Sequence, residues 1–127
     1  MLEHVSVPVS DMKKSKEFYK AALAPIGYEM TAEYGDEATG YKEGGHTSFW
    51  LAKKDNVIPT HVAFLAKSKE EVGKFHEAAL KAGGKDNGAP GFRTDYSPEY
   101  YAAFILDPDG SNIEVCYFGE KAPSSEE

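Results

Sequence analysis

Three side chains of metal-binding types stand at places in the sequence that suggest a common site: His4, His61 and Glu114. Each histidine begins an apolar stretch, and Glu114 lies between Ile113 and Val115, where an unpaired buried carboxylate would be costly. Two neutral imidazoles and a carboxylate form a triad that leaves coordination positions open for substrate or water. If the two histidine strands are related by a two-fold axis, both imidazoles face one cavity, and the sequence predicts a divalent ion there.

An internal repeat supports that symmetry. The stretch from His4 to Gly27 aligns without a gap on the stretch from His61 to Gly84, and a match of that length rarely arises by chance. The matched positions are His4/His61, Val5/Val62, Phe18/Phe75, Ala21/Ala78, Ala22/Ala79, Leu23/Leu80 and Gly27/Gly84. Each copy predicts a strand, a helix N-cap at Asp11 or Ser68, a helix and a terminating glycine.

The remaining pattern completes a β-α-β-β-β module in each half. Strands are predicted over 2–8, 28–34, 38–42, 47–53, 61–66, 100–106 and 111–118, and helices over 12–23 and 69–82. Residues 85–99, rich in Gly, Pro, Asn and Asp, predict a loop or an irregular strand pair. The turn from Asp107 to Gly110 is interpreted as forming a hairpin and nothing more. One domain thus spans 1–118, with modules 2–53 and 60–118 and a flexible tail over 119–127.

Composition narrows the choice of partners. A chain of 127 residues can bury a single core. The formal charge of -7 argues against nucleic acid or an anionic membrane as the partner. The single cysteine cannot form an internal disulfide, no apolar run approaches the roughly 18–20 residues that span a bilayer, and the N-terminus lacks a signal-peptide pattern. We therefore expect a soluble cytoplasmic protein.

Four further side chains are candidates for substrate binding: Trp50, Arg93, Tyr96 and Tyr101. The guanidinium of Arg93 offers a fork to an anionic group, and the aromatic rings can stack on a flat one. In a simple hairpin register Tyr101 shares the face of Glu114. The alternatives are that Arg93 forms a surface ion pair with Asp95 or Glu99 and that Tyr101 packs into the core. No catalytic residue is assigned.

Together these features resemble the vicinal oxygen chelate superfamily, which includes glyoxalase I, fosfomycin and bleomycin resistance proteins and extradiol dioxygenases. The resemblance covers residues 2–118 and is carried by the doubled module, its two histidines, Phe18-Tyr19 with Leu23, and Asp107-Pro108-Asp109-Gly110 with Ile113-Glu114. It implies an α+β fold whose two βαβββ modules, in pseudo-two-fold arrangement, form a half-barrel around a metal and substrate cavity. It also implies that His4, His61 and Glu114 hold one divalent ion (Zn, Mn, Ni, Co or Fe), which chelates neighbouring oxygens of the substrate, and that the protein is a homodimer.

One departure from the family bears on activity. Glyoxalase I carries a fourth ligand, a glutamate that also serves as the base, on the last strand of its first module, where this chain has Ser48, Phe49 or Trp50. We therefore expect a glyoxalase-like, metal-dependent enzyme of small-molecule metabolism or detoxification, of lyase, isomerase or dioxygenase type, without true glyoxalase I activity. The alternative is a non-catalytic protein that binds and sequesters an antibiotic or toxin.

Overall fold

The computed structural model describes residues 1–123 and contains two successive β-α-β-β-β modules. The strands are β1 Val5–Val9, β2 Glu29–Tyr34, β3 Ala38–Glu43, β4 His46–Lys53, β5 His61–Leu65, β6 Lys85–Phe92, β7 Tyr101–Leu106 and β8 Asn112–Tyr117. The helices are α1 Met12–Leu23 and α2 Lys69–Lys81, and a 3-10 turn, Ala24–Ile26, follows α1. The predicted α+β class and the doubled module are confirmed, with small shifts at the strand ends.

Both helices begin at the predicted caps. An oxygen of the Asp11 carboxylate accepts a hydrogen bond from the backbone N–H of Lys14 at 3.0 Å. The hydroxyl of Ser68 accepts one from the N–H of Glu71 at 3.1 Å. These bonds satisfy N–H groups that the first helical turn leaves without a partner. Each helix then buries one apolar stripe against the sheets.

The repeat in the sequence becomes a repeat in sheet topology. The first sheet has the strand order β1-β4-β3-β2 and the second β5-β8-β7-β6. In each sheet the first and last strands of the module are parallel neighbours. Ser6 pairs with Trp50, and Ala63, the repeat equivalent of Ser6, pairs with Glu114. Trp50 and Glu114 therefore occupy equivalent positions in the two modules.

One core is shared by the two sheets and the two helices. The rings of Phe49 on β4 and Phe64 on β5 are 5.0 Å apart, and Tyr28 meets Phe64 at 5.3 Å. The side chains of Phe18 on α1 and Ile105 on β7 both lie against Gly84, so the first module's helix packs on the second module. The face of the first sheet that carries Phe49 and the face of the second sheet that carries Phe64 therefore both contribute to the shared core.

The opposite face of each sheet is directed away from the core, because neighbouring residues of a strand point to opposite sides. We call these the first outer face, which carries Ser6 and Trp50, and the second outer face, which carries His61, Ala63 and Glu114. Ser6 and Ala63 are exposed. The two sheets are not closed into a barrel. The predicted α+β fold of two paired βαβββ modules with open sheets is thus confirmed.

The turn from Asp107 to Gly110 connects the modules as well as forming the predicted hairpin. The buried Tyr19 of α1 donates its hydroxyl hydrogen bond to Asp107. The backbone N–H of Ser10 donates to the Asp109 carboxylate at 3.0 Å. Burial raises the pKa of Asp107, and it also raises the pKa of Tyr19, with the Asp107 charge adding to that rise. The interpretation of this turn as a hairpin and nothing more is therefore wrong.

Within the segment 85–99, Lys85–Phe92 forms one irregular strand, and the residues that follow form turns. Strand β6 pairs with β7 at the edge of the second sheet, and its register shifts on both sides of Gly88. An edge position tolerates Pro90, which has no N–H to donate. Within the predicted tail, the N–H of Ala122 donates to the carbonyl oxygen of Pro98 at 2.7 Å, and residues 124–127 lie outside the described residues. No helix in residues 1–123 is long and apolar enough to cross a membrane.

Candidate metal and substrate site

The second outer face brings two of the three predicted ligands together. His61 starts β5, and Glu114 lies on the parallel neighbour β8, opposite Ala63. Because residues two apart on a strand share a face, His61 lies beside Glu114. The imidazole Nε2 of His61 is 2.8 Å from Oε1 of Glu114. A nitrogen and an oxygen that can each bind a metal thus adjoin on one surface.

Glu114 is almost completely buried, although it is on an outer face. It is 1% exposed, and the hydroxyl of Tyr100 donates a hydrogen bond to its second oxygen. The ring of Tyr100 packs in turn between those of Tyr96, at 5.1 Å, and Phe118, at 4.9 Å. This aromatic layer covers the carboxylate, so its charge is held in a poorly solvated place.

The same environment alters the acidity of the neighbouring groups. Burial raises the pKa of Tyr100, and the bond to the Glu114 carboxylate raises it further, because a phenolate there would face a negative charge. Burial also raises the pKa of the Cys116 thiol, and the charge of Glu114 adds to this rise. Both groups therefore keep their protons beside the carboxylate, and the thiol is not a reactive thiolate.

His4, the third predicted ligand, has no contact with His61 or Glu114 within the described chain. Its half-exposed imidazole contacts the carboxylate of the adjacent Glu3, which also lies 2.9 Å from Nε2 of His46. In residues 1–123 no group of three or more His, Cys, Asp or Glu side chains is placed to hold a metal. Within one chain the described residues therefore do not gather His4, His61 and Glu114 into one ligand group, and their common site stays a prediction.

The donors that are present nevertheless fit a cation. Within residues 1–123 the only basic side chain at ion-pairing distance from Glu114 is His61, which carries charge only when it is protonated. A carboxylate that is 1% exposed and has no lysine or arginine beside it is a group for which a divalent ion is a natural partner. Imidazole nitrogen and carboxylate oxygen suit several such ions.

The equivalent position of the first module holds an aromatic side chain. Trp50, paired with Ser6, is the repeat equivalent of Glu114. The indole stacks on Tyr34, with ring centroids 6.0 Å apart and an interplanar angle of 26°. It also lies against Gly40, where a Cβ atom would come within 2.8 Å of the ring. The first outer face thus offers a flat aromatic surface in place of a carboxylate.

The other predicted substrate-binding residues divide between the two faces of the second sheet. The guanidinium carbon of Arg93 lies 5.3 Å from the ring centre of Phe104, which pairs with Glu114 and shares its face. Arg93 and Tyr96 therefore belong to the second outer face. The expected ion pair of Arg93 with Asp95 or Glu99 is not formed in the described part of the chain, where the guanidinium bonds to backbone carbonyls.

Tyr101 does not share the face of Glu114, and that prediction is wrong. Leu106 pairs with Asn112, so the hairpin loop has five residues, and Tyr101 pairs with Tyr117. Tyr117 is three residues from Glu114 on β8, so Tyr117 and Tyr101 lie on the opposite face of the sheet. The ring of Tyr101 instead meets Phe92 at 5.1 Å, on the side of α2. The residues that take its place are Tyr100 and Phe104. With a five-residue loop, the alternation of side chains along β7 predicts that Phe104 shares the face of Glu114. Tyr100 precedes β7, so this alternation does not predict which face it lies on.

Comparison with known proteins identifies the family. The family model of the Glyoxalase/Bleomycin resistance protein/Dioxygenase superfamily matches residues 1–115. Among solved structures, a glyoxalase/bleomycin resistance protein from Albidiferax ferrireducens T118 is 30% identical and has a TM-score of 0.78, with 92% of this chain and 98% of that chain covered. The chain therefore belongs to the Glyoxalase/Bleomycin resistance protein/Dioxygenase superfamily, as its residue pattern predicts.

More distant relatives agree on the fold. Lactoylglutathione lyase from Agrobacterium tumefaciens is 18% identical, covers 92% of each chain and has a TM-score of 0.71. YqjT of Bacillus subtilis (strain 168), described as an uncharacterized protein, is 24% identical over 90% of this chain and 96% of its own length. The superfamily includes both enzymes and resistance proteins, so membership alone does not decide between catalysis and binding.

Proposed function

We propose that the chain is a metal-dependent enzyme of small-molecule metabolism or detoxification, built as a homodimer. The observation that carries this proposal is the buried Glu114 carboxylate, which has His61 at 2.8 Å and no lysine or arginine at ion-pairing distance within residues 1–123. These two side chains would hold one divalent ion. The ion, when bound, would act as a Lewis acid on a substrate that offers two neighbouring oxygens.

The third ligand in this proposal is His4 of a second copy of the chain. Within one chain, His4 does not contact His61 or Glu114, and both outer faces are directed away from the core. Large apolar side chains are left exposed near these surfaces, among them Leu65, which is 70% exposed, and Tyr34, which is 64% exposed. Pairing the first outer face of one chain with the second outer face of another covers them. It also brings Trp50 of one chain toward the metal residues of the other.

The reaction differs from that of glyoxalase I in this proposal. Glyoxalase I carries a glutamate, its fourth ligand and base, on the last strand of its first module, and on that strand of this chain the repeat equivalent of Glu114 is Trp50. The only proton-bearing side chains described beside Glu114 are Tyr100, His61 and the Cys116 thiol. We therefore expect no meaningful turnover of the hemithioacetal of methylglyoxal and glutathione with any metal.

Metal removal and reconstitution test the proposal. The chelated protein, given Zn, Mn, Ni, Co or Fe(II), should bind one ion per chain and gain about 2.7 kcal/mol of stability at a hundredfold excess over Kd. Glu114→Gln should abolish both effects. The matched control is Glu29→Gln, which removes an exposed carboxylate and should change neither. Wild-type protein that binds no ion by calorimetry or elemental analysis, under any of these metals, contradicts the proposal.

Sequestration of a planar ligand is the second candidate, and the stacking of Trp50 on the exposed Tyr34 favours it. Trp50 is the only tryptophan in the chain, so its fluorescence reports directly on a ligand bound there. Quenching by a flat small molecule in chelated protein, with the same Kd after metal is restored and no product formed, supports sequestration. A ligand that binds only with metal and is converted supports the enzyme.

A further inference from the structure

Arg93 is the only arginine in the chain, and the other thirteen strongly basic residues are lysines. The two side chains differ in what they can recognise. A guanidinium is planar and presents five N–H donors in a fixed fork, which matches the oxygens of a carboxylate or phosphate, whereas an ammonium acts as a point charge. Arg93 is therefore the only side chain of this sequence that can offer such a fork to an anion.

The guanidinium is held in one orientation by its surroundings. Its Nη1 donates a hydrogen bond to the carbonyl oxygen of Gly91 at 2.9 Å, and its Nη2 donates to that of Ala89 at 2.7 Å. The ring of Phe104 supports it at 5.3 Å. Two glycines of β6 leave room for it: a Cβ atom at Gly88 would lie 3.1 Å from Nη2, and one at Gly91 3.2 Å from Nη1.

Most of the fork remains available after these contacts. Two of the five N–H donors are used, and the other three have no protein acceptor in residues 1–123. No Asp or Glu of the described residues forms an ion pair with Arg93, although the chain has an excess of acidic groups. The positive charge is therefore oriented and unneutralised, and such a group attracts an anion.

The position of this group relates it to the candidate metal residues. Phe104, which supports the guanidinium, pairs with Glu114 across the β7–β8 ladder. The Phe104 ring is also 6.5 Å from the imidazole of His61. Arg93 and His61 thus both adjoin Phe104 on the second outer face, and a small molecule lying over Phe104 would reach both.

We propose that Arg93 binds an oxyanion of the substrate, a carboxylate or a phosphate, while the neighbouring oxygens of the same molecule are directed to His61 and Glu114. The substrate class is then a small molecule that carries both an anionic group and two adjacent oxygens. The anion site itself stands on the geometry of Arg93, and its assignment to the substrate rests on the proposed function. A brace for β6 is the competing role, since both carbonyl acceptors lie within four residues of Arg93.

The sole arginine provides its own probe. In protein labelled with nitrogen-15, the Nε–H of Arg93 gives a single side-chain signal that cannot be confused with another arginine. Sodium acetate and inorganic phosphate should shift this signal saturably, whereas sodium chloride of equal ionic strength should not. The experiment uses the chelated wild-type chain and needs neither metal nor activity.

A conservative variant separates the fork from the charge. Arg93→Lys keeps the charge, and the backbone amides of Gly88 and Gly91 then report the anion. Loss of a charge-assisted bond should weaken binding by about tenfold. Lys54→Ala, which removes an exposed positive charge elsewhere, is the control and should have little effect. A merely bracing arginine would leave anion affinity equal in wild type and Arg93→Lys.

The outcomes also separate this inference from the proposed function. If the chain takes up metal but the Arg93 signal responds to acetate and phosphate no more than to chloride, the anion site is overturned and the metal centre stands. If the signal saturates with the oxyanions but no metal binds, the anion site stands and the metal-dependent enzyme is rejected. Binding of only one of the two oxyanions identifies the anionic group as carboxylate or phosphate.

Discussion

The two outer faces are built on the same repeated module, yet they carry different chemistry. The second has His61, the buried Glu114 and an aromatic layer around Tyr100. The first has Trp50 at the position equivalent to Glu114, stacked on Tyr34 and against Gly40. One backbone position thus serves as a candidate metal ligand in one copy and as an apolar surface in the other.

This difference shows that the two modules share backbone positions more closely than they share the side chains at those positions. Phe49 and Phe64 pack against each other in the shared core, which constrains both side chains. Phe49 precedes Trp50 in the sequence, and Phe64 lies on β5, the strand beside Glu114. The outward residues are free of that constraint, because their faces are directed away from the core. Function can therefore differ between the two halves while the fold remains the same.

Trp50→Glu would restore the carboxylate at the first position and sharpen the comparison most. If the outer faces of two chains combine, the added ligand should tighten metal binding by about 10- to 100-fold, a range that even outer-shell partners of a metal reach. The measurement is competitive titration against a chelator of known affinity. Trp50→Gln, which removes the indole without adding a charge, is the control, and equal affinities in these two variants would break the equivalence of Trp50 and Glu114.

Tyr19→Phe tests a buried contact that joins the two modules. Loss of the buried bond to Asp107 should cost about 1–3 kcal/mol of unfolding free energy at neutral pH. Burial raises the pKa of Asp107, and the Tyr19 hydroxyl opposes this rise, so the variant should have a still higher pKa at Asp107. The stability deficit should therefore shrink as the pH falls through that pKa and the carboxyl is protonated. Urea unfolding of both proteins from pH 7 to pH 4 checks this, and a deficit that grows in acid refutes it.

Two adjacent tyrosines give the smallest and most closely matched test. Tyr100→Phe removes the donor to the second oxygen of Glu114 and should cost about 1 kcal/mol, since Tyr100, unlike Glu114, is only partly buried and water can partly replace its hydroxyl. Tyr101→Phe removes a hydroxyl that has no protein hydrogen bond in the described residues and points to the other face, so it should cost less than about 0.5 kcal/mol. Thermal unfolding of the chelated proteins measures both, and the reverse order would contradict the strand register.

Much of the fold could be predicted from the sequence, because its signals are local and repeated. The caps Asp11 and Ser68, the apolar stripes of both helices and the doubled module all appear as predicted. The family is confirmed as well. Pro8, which has no N–H to donate, lies on β1 at the edge of the first sheet.

The candidate site was harder to predict, because it depends on distances between modules and on single-residue register. The symmetric repeat predicts that His4 and His61 converge, but a symmetry of sequence does not fix the distance between the two modules, and the single chain does not gather the three ligands into one group. The predicted hairpin has a loop of four residues, 107–110, whereas the observed loop has five, 107–111. A difference of one residue in the register moves every side chain of β7, Tyr101 included, to the opposite face of the sheet. The intermodule bonds of Asp107 and Asp109 have no sequence signal beyond that of an ordinary turn.

Complementation between two inactive chains tests the central claim, that the metal residues of two chains combine. His4→Ala keeps His61 and Glu114, and Glu114→Gln keeps His4, so each homodimer lacks a ligand at both sites. A heterodimer of the two variants, purified with two different affinity tags, restores one complete site. Elemental analysis should give one ion per heterodimer, half the content of wild type, and none in either parent homodimer. A heterodimer as empty as its parents, or a His4→Ala homodimer that binds metal like wild type, would contradict the account.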